Sequence, residues 1–206
     1  MWSSEPLAFN PIVAVGLGLN PGGQDMSLQK NVAGQNVAFL LVNAADDTAF
    51  TGASFSGAAW WSKDGVQAAA AGTFTELSPT GKAIYNYAPT QAETNCNCGC
   101  LWVMPTGAVP EFMLFLTNGL HKNVAGQHVT FGMMTTAGVS DPSASPTITV
   151  SKDGGSLSTG GGTTTNLTNG QYDYLLTQAE TNGINVNISA SATGDVSQNI
   201  SIFTVI

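Results

Sequence analysis

Lys30-Asn-Val-Ala-Gly-Gln35 is spelled again, letter for letter, at Lys122-Asn-Val-Ala-Gly-Gln127. Two further strings follow each of them in the same order: Ser62-Lys-Asp-Gly65 returns as Ser151-Lys-Asp-Gly154, and Thr90-Gln-Ala-Glu-Thr-Asn95 returns as Thr177-Gln-Ala-Glu-Thr-Asn182. The separations are 92, 89 and 87 positions, a shrinkage that loop deletions between strands of kept length would produce. Three ordered identities do not arise by chance, so the 206-residue chain holds two copies of one domain. The copies span 29–118 and 122–206, residues 119–121 form a linker, and residues 1–28 stand outside the repeat.

Working outward from these anchors, each copy reads as β throughout. A first strand falls in Asn36–Asn43 and its match His128–Thr135, and a second in Ala58–Ser62 and Thr147–Ser151. The second strand runs into Asp-Gly, which adopts the positive φ angles of a tight hairpin. Strands at Thr73–Leu77 and Thr163–Leu167 lead through Pro79-Thr-Gly81 and Asn169-Gly170 into the alternating Ile84-Tyr-Asn-Tyr87 and Gln171-Tyr-Asp-Tyr174. Thr90-x-x-Glu93 and Thr177-x-x-Glu180 fit capping boxes for one helical turn. Cys98–Met104 with Phe112–Thr117, and Ile184–Ala190 with Asn199–Val205, close the copies. Seven short strands per copy predict an all-β chain: two tandem immunoglobulin-like β-sandwich domains preceded by an extended N-terminal arm, with a small barrel as the competing arrangement.

Composition narrows the function classes. Apolar residues make up 43% of the chain and charged residues only 9%, against roughly 25% in an ordinary soluble domain. The five basic residues are all lysine, thirteen are acidic, and the net charge is −8. A nucleic-acid partner needs a clustered basic surface and is excluded. The lack of arginine argues against phosphoryl transfer and carboxylate clamps. No basic n-region precedes Lys30, and the apolar run from Pro11 to Leu19 is short and broken by glycine, so neither a signal peptide nor a membrane span is expected. Three cysteines packed as Cys96-Asn-Cys98-Gly-Cys100 do not make a disulfide framework and suit a reducing cytoplasm.

The run Met26-Ser-Leu-Gln-Lys-Asn-Val-Ala33, followed by Ser-Lys-Asp-Gly, the Tyr-x-Tyr strand and Leu-Thr-x-Ala-Glu-Thr-Asn, resembles the small immunoglobulin-like modules of tailed-bacteriophage virion proteins. The resemblance covers residues 29–206. It implies a non-enzymatic virion component, most concretely a capsid decoration (cement) protein seated on the major capsid protein as a homo-oligomer, a trimer, at the virion surface after assembly in the bacterial cytoplasm. A tail or fibre module recognising host-surface glycans is the alternative, and a bacterial surface adhesin the third. Fold similarity by itself does not supply function.

Side chains alternate across a strand, so the copies can be compared face by face. Leu101 and Val103 match Ile188 and Ala190 on the core side. The opposite side carries Cys98, Cys100, Trp102 and Met104 in copy one but Asn185, Asn187, Ser189 and Ser191 in copy two. Ala38 and Leu40 replace Thr130 and Gly132 in the first strand, and Met113 and Leu116 replace Ser201 and Thr204 in the last. Exposed strands need no such apolar area, so an intermolecular interface through copy one is expected; a different internal register, or cover by the N-terminal segment, is the competing account. The arm holds Trp2, Phe9, Ile12 and Val13 among Pro and Gly, long enough to reach a neighbouring subunit. Trp60 is expected to point outward, as an interface or sugar-stacking residue, and Trp61 inward.

Catalytic and metal chemistry is not expected. The Cys-x-Cys-x-Cys spacing, even with His121 or His128, is wrong for a structural zinc site. His128 matches Asn36, a position that accepts a neutral amide, and His121 falls in the linker. Asp64 and Asp153 are turn residues, Glu93 and Glu180 are caps, and the glycine runs near 154 and 160 lack the context of a phosphate loop. No cofactor, metal, nucleic acid or membrane is implied.

Overall fold

The computed structural model describes residues 28–77 and 83–206. The first module comprises β1 (Val37–Leu40), β2 (Ala59–Lys63), β3 (Val66–Ala69), β4 (Thr73–Glu76), β5 (Ile84–Ala88), α1 (Gln91–Thr94), β6 (Cys98–Val103) and β7 (Glu111–Leu116). The second comprises β8 (Leu120–His121), β9 (Gln127–Gly132), β10 (Thr147–Lys152), β11 (Ser158–Thr159), β12 (Thr163–Thr168), β13 (Gln171–Leu176), α2 (Gln178–Thr181), β14 (Asn185–Ser191) and β15 (Gln198–Val205). The turn expected at Pro79–Gly81 lies outside the described residues.

Each module is a sandwich of two sheets. Module one pairs the sheet β1-β5-β4 with β3-β2-β6-β7; module two pairs β12-β13-β9 with β11-β10-β14-β15-β8. Apart from β8, which runs parallel to β15, every pairing is antiparallel. In immunoglobulin lettering β1 to β7 are strands B, C, C′, D, E, F and G, and β8 is the A′ strand that joins G, so the order is that of an immunoglobulin-like sandwich and not of a closed barrel. The linker assignment is corrected here. Leu120 and His121 belong to module two as β8, because Leu120 is apolar and 1% exposed in the core; a two-residue strand is too short for alternation to show in a sequence.

The three repeated strings meet at one pole of each module. Thr90 and Thr177 cap their helical turns, each accepting from the backbone N–H of the glutamate three residues on, while Glu93 and Glu180 reach back to the cap. Lys63 Nζ donates to the Ala92 carbonyl at 3.2 Å and Lys152 Nζ to Ala179 at 2.7 Å, satisfying carbonyls of the turn that no intrahelical N–H reaches. Thr94 and Thr181 hydroxyls each donate to the loop carbonyl of Val32 or Val124 at 2.9 Å. Asp64 and Asp153 sit at φ 46° and 51° in their hairpins, and their carboxylates accept from the first amides of β6 and β14. One polar network therefore explains why these residues recur.

Candidate functional site

The outward faces of the two modules meet within the chain. In β6 the alternation sends Leu101 and Val103 into module one's own core, with Trp61, Tyr85, Tyr87 and Phe115, and sends Cys98, Cys100 and Trp102 the other way. These three are 1%, 0% and 0% exposed and share a core with Val129, Phe131 and Tyr174 of module two. The sheet β3-β2-β6-β7 thus lies on β12-β13-β9, making four stacked layers. At the centre Trp102 fills the place of a missing side chain: a Cβ on Gly132 would sit 2.2 Å from the indole ring.

Polar groups complete this seam. Trp102 Nε1 donates to the Asn169 carbonyl at 2.7 Å, Gln67 Nε2 donates to Gln171 Oε1 at 2.6 Å, and the Thr168 hydroxyl donates to Gln67 Oε1 at 2.7 Å. Cys98 Sγ lies 3.8 Å from Thr130 Oγ1. Beside them, His128 Nδ1 lies 2.7 Å from Asp173 Oδ2, and Thr130 donates to the other oxygen at 3.0 Å. Burial pushes the Asp173 carboxyl above its ordinary value, with the bond to His128 opposing the rise. Burial likewise lifts the Cys98 thiol, and lifts Cys100 and Cys96 up to about 12, which leaves all three protonated and unreactive near neutrality. Among the described residues no group of three His, Cys, Asp or Glu side chains could hold a metal ion.

The expected intermolecular contact through this face is therefore corrected: Cys98, Cys100, Trp102 and Leu116 face module two of the same chain, with Trp60 and Met104 half-buried against the same core. None of the accounts drawn from the sequence placed the second copy there, because a repeat reveals two equal units and not how they pack. Met113 is also corrected. It points into module one's own core, while Phe112, Leu114 and Leu116 face the seam, since residues three apart on a strand lie on opposite faces. The β1 comparison inverts as well: Leu40 is 51% exposed and Gly132 is covered by Trp102. Trp2, Phe9, Ile12 and Val13 lie outside the described residues. His121 and His128 line an open cleft of about 380 Å³ at the junction of the modules with Asp64, Asn97 and Gln127.

Two outer faces remain. That of module two, on β10-β14-β15, carries Asn185, Asn187, Ser189, Asn199 and Ser201, with Phe203 and Val205 exposed at the end of β15. That of module one, on β4-β5-β1, carries a cross-strand apolar row: Leu40 stands opposite Ile84, and Leu77 pairs with Ile84 from the other side through a 2.8 Å backbone bond. They are 51%, 39% and 39% exposed.

No family model matches the chain, and no curated protein matches it. Among solved structures it is similar to a titin tandem of immunoglobulin domains, at 12% identity over 86% of this chain and 90% of that one, with a TM-score of 0.23. The Yersinia pseudotuberculosis adhesin InvE is similar at 11% identity, over 83% of this chain and 54% of that one, with a TM-score of 0.24. Likeness at that level carries no argument of its own. The strand order and register establish the fold: this chain is a tandem of two immunoglobulin-like β-sandwiches stacked face to face.

Proposed function

We propose that the chain is a non-enzymatic structural protein of a tailed-bacteriophage virion, most concretely a capsid decoration protein attached to the major capsid protein through its N-terminal arm and module one, with module two turned to solvent. The observation that carries this reading is the unlike ends of the stack. The end formed by β4-β5-β1 bears the apolar row Leu40, Ile84 and Leu77, and Leu28, which follows the N-terminal segment, lies in module one's core; the far end is mainly Asn and Ser, with Phe203 and Val205 confined to the end of β15. A polar terminal face is how stacked repeats end against water. The sequence motifs quoted above point to the same class of particle, and the protein would be displayed there as a homo-oligomer, a trimer. Trp60 gives the glycan-binding alternative no support, because it packs half-buried at the seam instead of offering its ring to a sugar.

Deleting residues 1–25 tests the proposal. Both modules should fold unchanged while attachment to purified particles is lost; undiminished attachment would move the anchor elsewhere. Quantitative mass spectrometry of particles supplies the second measurement, with hundreds of copies expected for a shell protein, and a few to dozens of copies assigning it to the tail instead.

A further inference from the structure

The molecule contains one worked example of what covers an outer β4-β5-β1 type face. In module two the corresponding face, β12-β13-β9, is a docking platform. Its row Gly132, Gln171 and Thr168 receives Trp102 and Gln67 of module one. In module one the corresponding row is Leu40, Ile84 and Leu77, flanked on the same face by Thr73, Thr75 and Asn86, and nothing among the described residues lies over it. Three large apolar side chains in cross-strand contact on an uncharged sheet surface are costly to leave in water, at about 25 cal/mol per Å².

The chain itself supplies what is tethered beside them. Residues 1–27 lead into Leu28, whose side chain is 4% exposed in module one's core together with Val37 at the start of β1. Leu40 lies three residues further along that strand, about 10 Å at roughly 3.3 Å per residue. The segment contains Trp2, Phe9, Ile12, Val13, Leu17 and Leu19, with only Glu5 and Asp25 as charges. A tethered segment meets a neighbouring site at an effective concentration on the order of millimolar, which outcompetes a second copy at ordinary concentrations. A second copy offering its far end would bring mainly Asn and Ser, with Phe203 and Val205 only at the end of β15, where the internal example seats a tryptophan at the centre of the sheet.

We infer that residues 1–27 lie across the outer β4-β5-β1 face of module one, their apolar side chains covering Leu40, Ile84 and Leu77. On the proposed reading the row and the segment over it together form the end that meets the shell; the placement itself is a property of the free chain, so its test is made without particles. Ile84 is replaced by a photoreactive phenylalanine derivative in the full-length protein, which is irradiated and digested for mass spectrometry. Cross-links to peptides from residues 1–27 at monomer mass are expected. Cross-links at doubled mass, showing a second copy on the face, or cross-links confined to residues 28–206, would overturn the inference. In the variant Leu40→Asn with Ile84→Asn, amide exchange within residues 1–27 should rise at least tenfold while exchange in β6 and β14 stays as it was; unchanged exchange in residues 1–27 would also overturn it.

Discussion

The outer face of β2-β6-β7 in module one and that of β10-β14-β15 in module two are one surface of a duplicated domain, yet the first displays Cys98, Cys100 and Trp102 and the second Asn185, Asn187 and Ser189. The backbone registers agree: Trp60 stands opposite Trp102 as Thr149 stands opposite Ser189. What differs is the neighbour, a whole sheet on one side and water on the other. Residue polarity on an outward face reports that the face is covered, and leaves open what covers it. Here the cover is the second copy, so the duplication supplies both halves of the contact, and the greasy strand of one module is matched by a glycine hollow in the other.

The widest separation between the two faces should appear on truncating their central residues. Trp102→Ala removes a fully buried indole and its bond to Asn169, and should cost about 3–5 kcal/mol in denaturant unfolding. Ser189→Ala, at the matching place, should stay within about 0.5 kcal/mol. Equal costs at the two sites would break the comparison.

A smaller difference concerns Glu111, which faces Val103 across the strands where module two has Gln198 facing Ala190. Burial pushes the Glu111 carboxyl up to about 7 from an ordinary 4.5. Its folded-state value is raised, so the stability it contributes is fully present below pH 4.5 and lost as pH rises through 7. Glu111→Gln, copying module two, should gain about 1–3 kcal/mol at pH 8 and almost nothing at pH 4. A gain of the same size at both pH values would assign the effect to packing.

The smallest contrast is expected where the modules agree. Thr90→Ala and Thr177→Ala each remove the cap of a four-residue turn, and each should cost about 1 kcal/mol by denaturant unfolding. A gap of more than about 1 kcal/mol between them would show that the two polar poles are not energetically alike.

Much of this architecture was open to reading in the sequence. The repeated strings located both modules, alternation placed the strands, and Thr-x-x-Glu marked the caps, because these are local signals with a fixed period. The role of Lys63 and Lys152 at the helical turns, and of Asp64 and Asp153 on β6 and β14, depended on three strings meeting in space and could be seen only as recurrence. The seam was half visible. The apolar side of β6 stood out against its sibling, but Gly132 read as an unremarkable strand residue, since a hollow has no side chain to announce it. Met113 is a simpler case: grouping it with Leu116, three residues away, runs against the two-residue period of a strand.

Module two covers the apolar face of module one, and the chain carries its own reporters there. Cys98 and Cys100 face the seam, while Cys96 is buried beside the Glu93 carbonyl at the pole. Thiol labelling of the native full-length protein, read cysteine by cysteine by mass spectrometry, should find all three protected. In Gly132→Leu, whose side chain must displace the Trp102 ring, Cys98 and Cys100 should become reactive while Cys96 stays protected. Rapid labelling of Cys98 and Cys100 in the unaltered protein, with Cys96 still protected, would mean that the face is open and would contradict the stacked arrangement.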